Sequence, residues 1–87
     1  MTANKKKKFN GEGEKLSHQV SKSMLKYFEQ LDGESPNDVY KMVFKEVESS
    51  LLEIVMQQCD ENQTRASEML GINRGTLRTK LKAHKLL

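Results

Sequence analysis

The sequence predicts an all-α protein of four helices, the last two of which form a helix-turn-helix. From Leu16 onward, apolar residues recur at spacings of three and four, as they do on one face of a helix. Turn-forming residues near positions 33–37, 60–62 and 71 divide this pattern into four segments. Residues 1–15 show none of the alternation that a strand requires, and we expect a flexible basic tail there.

The composition is that of a small domain whose hydrophobic core is only marginally stable without additional contacts. The chain has 87 residues, of which 36% are hydrophobic, and a chain this short buries only about 60% of its unfolded surface. One cysteine excludes an internal disulfide framework, and widely separated histidines give no metal-ligand spacing, so no metal or other cofactor is predicted. No apolar run approaches the roughly 20 residues that span a bilayer, and we expect a cytoplasmic protein without a membrane partner.

The first helix is expected to begin at Leu16 and to carry a single apolar stripe. The members of this stripe are Leu16, Val20, Met24, Tyr27, Phe28 and Leu31. Gly33 suits the left-handed residue that commonly follows a helix. The turn at residues 36–38 then begins the next helix, which we expect the side chain of Asn37 or Asp38 to cap.

The second helix, expected from about residue 38 to 59, is apolar over more of its circumference than one stripe. Its apolar residues are Val39, Tyr40, Val43, Phe44, Val47, Leu51, Leu52, Ile54, Val55, Met56 and Cys59. A helix of this kind must be covered on more than one side. For the side that the rest of the chain leaves open we predict a second copy of the chain, with a tightly packed monomer as the alternative. Cys59 is expected to be a small buried apolar residue.

The remaining segment has the pattern of a helix-turn-helix. Asn62 is expected to cap a helix from Gln63 to Leu70, which Gly71 ends. Asn73 is expected to cap a final helix from Arg74 to about His84. The residues expected to interlock these two helices are Ala66, Leu70, Ile72, Leu77 and Leu81.

Basic residues concentrate at the two ends of the chain. Residues 1–8 carry four lysines and no acid, and residues 9–62 carry five lysines against eleven Asp and Glu. Residues 63–87 carry six Lys and Arg against Glu68 alone. This asymmetry is expected of a protein that binds a polyanion, although a solvated basic helix face would also produce it.

The final helix has the chemistry needed to read DNA. The second helix of a helix-turn-helix enters the major groove with its N-terminal residues at the base edges, which here are Asn73, Arg74 and Thr76. Arg pairs bidentately with guanine and Asn with adenine, while lysines farther along the helix meet phosphates. The structural alternative is an ordinary helical hairpin with a basic outer face.

Three stretches of this segment resemble the Fis family, bacterial nucleoid proteins named after the factor for inversion stimulation. These stretches are residues 62–66 (NQTRA), 71–78 (GINRGTLR) and 80–82 (KLK). The similarity continues upstream through residues 51–57 and 27–31 and covers roughly residues 16–84.

The resemblance implies an intertwined homodimer core built by the dimerisation helices of residues 16–60 and a helix-turn-helix DNA-binding unit over residues 61–87. It also implies a homodimeric, DNA-bending, nucleoid-associated transcriptional regulator that reads a degenerate site in double-stranded DNA through its recognition helices. Carried over by position, Asn73 and Arg74 read bases. The complete set of implied DNA-binding residues is Asn62, Thr64, Arg65, Asn73, Arg74, Thr76, Arg78, Lys80 and Lys82.

The chain departs from the family pattern at two places that contact other proteins. Asp60 and Glu61 replace a basic residue and a glycine in the loop that can touch RNA polymerase, which leaves a polymerase contact open. The family's N-terminal arm is a β-hairpin that touches DNA invertases. Residues 1–15 lack the two alternating runs that such an arm requires, so no invertase contact is expected.

Two other functions compete with this interpretation. One is a free-standing relative of the C-terminal domains of nitrogen-regulator-type activators, which share the helix-turn-helix pattern. The other is a helical dimerisation protein that does not bind nucleic acid. An enzyme is not expected, because His18 and His84 occupy polar positions predicted to be exposed and Cys59 has no neighbouring base in sequence.

Overall fold

The computed structural model describes residues 15–87, which form four α-helices. These are α1 (Leu16–Glu29), α2 (Val39–Gln58), α3 (Gln63–Leu70) and α4 (Arg74–Ala83). No strand occurs in this range, and the predicted all-α class is confirmed. The flexible tail predicted for residues 1–15 lies, apart from Lys15, outside the described residues. None of the described helices is both long and apolar enough to cross a membrane.

The chain divides into two units, Met1–Asn37 and Asp38–Leu87, and α1 is the helix of the first unit. No residue of α1 is buried. The large apolar side chains that it exposes are Leu16, Val20, Leu25 and Phe28. Beyond the helix, Gly33 adopts the predicted left-handed conformation, with φ of 89°. The described part of this unit therefore leaves four large apolar side chains in contact with solvent.

The start of α2 corrects one prediction. Asp38 stands at the N-cap, but its side chain accepts no hydrogen bond from the helix. A capping side chain usually extends from a residue with an extended backbone, whereas Asp38 is left-handed, with φ of 53° and ψ of 38°. The chain enters α2 through this turn instead. The observed bounds of α2 differ from the predicted bounds by one residue at each end.

The second unit has its core on one side of α2. Leu52 and Met56 are buried on α2, and Cys59, which follows the helix, is fully buried as predicted. Ala66 of α3 joins this core, as do Leu77 and Leu81 of α4, both fully buried. Leu70 and Ile72 pack against the same cluster, which confirms the five residues predicted to interlock α3 and α4.

The opposite side of α2 is apolar and exposed. Its residues are Tyr40, Phe44, Val47, Leu51 and Ile54. They follow one another at alternating spacings of four and three, the repeat of a helix that packs along a second helix. Tyr40 is 77% exposed and Phe44 54% exposed, and their rings stack with centroids 4.5 Å apart. We call these five residues the open face of α2.

Candidate nucleic-acid interface

The N-terminal ends of α3 and α4 border an open depression of about 570 Å³, which we call the α3–α4 groove. The residues lining it are Glu61, Asn62, Gln63, Thr64, Arg74, Gly75 and Arg78. Four of the predicted DNA-binding residues, Asn62, Thr64, Arg74 and Arg78, thus come together around one concave surface. The tight turn at Gly71, with φ of 76°, brings the two helix ends together.

Both helices that border the groove begin with an asparagine cap, as predicted. Asn62 Oδ1 accepts a hydrogen bond from the Arg65 backbone N–H at 3.0 Å. Asn73 Oδ1 accepts one from the Gly75 backbone N–H at 2.7 Å. Beyond the capped N–H of Arg65, helix geometry leaves the N–H groups of Gln63 and Thr64 without an intrahelical acceptor, so these two are available to an anion outside the helix.

Two guanidinium groups lie against the first turn of α3. Arg74 Nη1 donates to Thr64 Oγ1 at 3.2 Å, and Arg78 Nη1 donates to the side-chain oxygen of Gln63 at 3.4 Å. Arg74 and Arg78 are one helical turn apart on α4, so they share a face of that helix. Their positive charges and the N-terminal dipole of α3 together favour an anion in the groove.

The other predicted site residues differ in their surroundings. Thr76 and Lys82 are exposed on α4. Arg65 is exposed on α3, with its guanidinium 3.9 Å from the Asp60 carboxylate. Lys80 pairs with Glu48 of α2, with 2.8 Å between Nζ and Oε2. The structure therefore brings most of the predicted residues to solvent and engages Lys80 within the protein.

Asn73 lies beside the groove with its carbonyl oxygen already engaged. Bidentate pairing with adenine uses both the oxygen and the NH₂ group of an asparagine side chain. The Oδ1 of Asn73 caps α4, while its NH₂ group is free of that role. A side chain built at Gly75 would place its Cβ 3.0 Å from the same oxygen. Glycine at this position therefore leaves room for the cap.

An acidic turn borders the groove at the start of α3. Asp60 and Glu61 are both left-handed, with φ of 53° and 64°. Glu61 thus adopts a conformation that favours glycine, at the position where the resembling family has one. Its carboxylate adds a negative charge to the edge of an otherwise basic surface.

Glu48, Lys80 and His84 form a polar cluster that the sequence analysis missed. Glu48 Oε1 lies 2.8 Å from His84 Nε2, while its other oxygen accepts from Lys80. The hydrogen bond from Lys80 and then that from His84 hold the pKa of the Glu48 carboxyl below its ordinary value. The ionised carboxylate only accepts, so Nε2 of His84 carries the proton and donates it.

The position of His84 corrects a second prediction. We expected an exposed histidine, but only 7% of this side chain is accessible. The ring lies next to α2 because His84 follows Lys80 by one helical turn on the side of α4 that faces Glu48. The two contacts span 32 and 36 residues of sequence, and no local pattern signals them. Among the described residues, no group of His, Cys, Asp and Glu is arranged to hold a metal ion.

Comparison of the sequence with known proteins identifies a family. The family model described as "Bacterial regulatory protein, Fis family" matches residues 43–84, which include most of α2 and all of α3 and α4. A Fis-like DNA-binding protein of Pseudomonas aeruginosa is 54% identical over 76 residues, which cover 87% of this chain and 73% of the relative. On these grounds, this chain belongs to the Fis family of bacterial regulatory proteins.

Proposed function

We propose that this protein is a homodimeric DNA-binding and DNA-bending regulator that acts through the α3–α4 groove. The observation that carries the proposal is the placement of Arg74 and Arg78 beside the free N-terminal N–H groups of α3. Arginine and helix N-termini both favour phosphate. The name of the Pseudomonas aeruginosa relative, a Fis-like DNA-binding protein, supports the same ligand.

The charge of α4 supports its proposed role as the recognition helix. The helix carries Arg74, Arg78, Lys80 and Lys82 and no acidic residue. A helix with this composition attracts the DNA backbone strongly enough to make binding dependent on salt. We assign Arg74 to a guanine edge, because it stands at the N-terminus of the helix, where base contacts are made.

The remaining contacts are assigned by exposure and by position on the two helices. Asn73 is assigned to a base edge through its NH₂ group alone, since its oxygen caps α4. A single hydrogen-bond donor can pair with acceptor atoms of more than one base, which suits a degenerate site. The residues assigned to phosphates are Asn62, Thr64, Arg65, Thr76, Arg78 and Lys82. Lys80 is left out of this set, because Glu48 holds its ammonium group.

The open face of α2 and the exposed apolar side chains of α1 support a dimer. Each of the five open-face residues is exposed in a single chain, although all are large and apolar. Burying apolar surface yields about 25 cal/mol per Å², which makes a second copy of the same face a favourable partner. A two-fold dimer presents two recognition helices to one duplex, and we propose that the duplex bends to meet both.

A titration with labelled duplexes tests this proposal. Wild-type protein is added to an A/T-centred duplex with a preformed bend and to a straight duplex of equal length, each at two salt concentrations. We expect tighter binding to the bent duplex and a marked loss of affinity at the higher salt concentration. Equal affinity for both duplexes would contradict bending, and no binding at either salt concentration would favour a dimerisation protein without nucleic-acid binding.

A further inference from the structure

A pair of hydrogen bonds links α2 to α4. They join the Glu48 carboxylate to the side chains of Lys80 and His84. Glu48 stands one helical turn before Leu52, at the end of the buried side of α2. Lys80 and His84 are one turn apart on α4, and each bonds a different oxygen of the same carboxylate at 2.8 Å. The carboxylate thus contacts α4 at two points separated by a full turn.

The apolar contacts between α2 and α4 fix the angle between these helices less sharply. Leu77 and Leu81 share a core with Leu52 and Met56, and packing of such side chains sets the angle between two helices only to within roughly 15–20°. Hydrogen bonds to a charged group are short and directional. Two of them from adjacent turns of α4 oppose rotation of that helix about its axis and tilting of that helix against α2.

We infer that Glu48 is a positioning residue for DNA recognition, which acts through Lys80 and His84 to fix the angle of α4 on α2. The inference rests on the proposed function, in which α2 forms the dimer and α4 reads DNA. The orientation of each recognition helix relative to the dimer axis then depends on this cluster. Lys80 is accordingly a structural cation and makes no phosphate contact.

The discriminating variant is Glu48→Gln, with Glu53→Gln as its matched control. Both remove one negative charge from α2, but the Glu53 side chain is exposed and has no ion pair within the described structure. Glu48→Gln should reduce the ratio of specific to nonspecific affinity by about five- to tenfold, within the range shown by residues of one hydrogen-bond network. Glu53→Gln should leave the ratio unchanged. Equal ratios for the two variants would overturn the inference.

Variants of Lys80 separate a structural cation from a phosphate contact. Lys82→Gln should weaken binding to all duplexes and reduce the slope of affinity against salt by about one contact. Lys80→Gln should lower the specific affinity and leave that slope unchanged. Lys80→Arg, which retains a donor for Glu48, should restore the specific affinity. A Lys80→Gln variant that behaves like Lys82→Gln would refute the inference.

Hydrogen exchange provides a readout that does not need DNA. In Glu48→Gln, the backbone amides of α4 should exchange about tenfold faster than in Glu53→Gln, because local opening of that helix becomes easier. The amides of α3 should keep their protection. Unchanged exchange in α4 would exclude the positioning role, whereas a wild-type protein that fails to bind any duplex would instead exclude the proposed function.

Discussion

The two ends of the described chain differ in how much of their apolar surface a single chain buries. In α3 and α4, each helix has a side-chain cap, and Leu77 and Leu81 are fully buried. In α1 no residue is buried, and α2 buries one side while its open face remains in solvent. Neither α1 nor α2 has a side-chain hydrogen bond at its N-cap. α3 and α4 therefore satisfy their own packing within one chain, and the proposed dimer would cover the apolar side chains that α1 and α2 expose.

Under the proposed function, this difference separates the DNA-recognition surface from the dimer interface. A recognition surface needs a fixed shape, which the caps and the interlocked core of α3 and α4 supply. A dimer interface needs apolar area that stays open until the second copy arrives. α2 belongs to both halves, because Leu52 and Met56 face the core while Phe44 and Leu51 face solvent.

The largest expected effect comes from a charge on the open face of α2. Phe44→Glu should abolish association, because it replaces a large apolar contact by a carboxylate that would be buried in the interface. Replacement of a buried phenylalanine by alanine alone costs on the order of 3–5 kcal/mol. Sedimentation equilibrium at micromolar concentration should report a monomer with reduced helix content.

The matched control for Phe44→Glu is Lys45→Glu. It introduces the same carboxylate at the next position of α2, which is exposed and already charged. This variant should remain a dimer. Dissociation of both variants, or of neither, would mean that the open face is not the interface.

A core variant in the other half should have the complementary effect. Leu77→Ala removes a fully buried side chain shared by the cluster beneath α3 and α4. We expect a loss of about 2–5 kcal/mol from the stability of that unit. DNA binding should fall with it, whereas sedimentation should still report a dimer. A monomeric Leu77→Ala protein would show that the two halves do not separate in this way.

The features of the fold and site that could be predicted are those set by residues close together in the sequence. The bounds of α3 were predicted correctly, because Asn62 and Gly71 mark its ends within the sequence itself. The burial of Ala66, Leu77 and Leu81 followed from their helical spacing. Composition also predicted a final helix that carries Arg74 and Arg78 and no acidic residue.

The predictions of an exposed His84 and of a side-chain cap at the start of α2 were wrong, and the contact of Lys80 with Glu48 was not predicted. His84 carried no local signal of burial, since its partner Glu48 lies 36 residues away. Nor did the sequence distinguish Lys80 from Lys82, because both are lysines on a basic helix and only the packing of α2 engages one of them. The cap expected from Asn37 or Asp38 was wrong because the left-handed turn at Asp38 depends on the backbone path rather than on residue type.

The helix N-caps test the same comparison with a smaller expected effect, because α3 has a side-chain cap and α2 does not. Asn62→Ala should destabilise the protein by about 1 kcal/mol, since it removes an acceptor for a helix N–H. Asp38→Gly should change stability by less than about 0.5 kcal/mol, because no side-chain bond is lost and glycine suits a left-handed residue. Chemical denaturation measures both variants. A larger loss from Asp38→Gly than from Asn62→Ala would contradict the assignment of the caps.

The Glu48 cluster predicts a modest dependence of stability on pH. The pKa of the Glu48 carboxyl is lowered from 4.5 in the folded protein, so the unfolded chain binds the proton more readily. The stabilisation is therefore present above pH 4.5 and is lost as the pH falls through the lower folded value. At neutral pH, Glu48→Gln should cost about 0.5–1 kcal/mol, since solvent screens a partly exposed pair.

Urea denaturation at pH 7, 5 and 3 measures this dependence. The difference between wild type and Glu48→Gln should be present at pH 7 and should disappear toward pH 3. The control Glu53→Gln should differ little from wild type at pH 7. A difference for Glu48→Gln that grows between pH 5 and pH 3 would contradict the assigned ion pair.

The most direct test of the central claim compares Arg74→Ala with Lys82→Ala. For each, the dissociation constants for a preferred duplex and for a duplex of mixed sequence are measured at the same salt concentration. Arg74→Ala should lose about 1–3 kcal/mol of discrimination between the two, as expected for one bidentate base contact. Lys82→Ala should weaken both complexes alike, because phosphate contacts position the protein without specifying sequence. Full discrimination by Arg74→Ala would contradict the proposal that the α3–α4 groove reads DNA through this arginine.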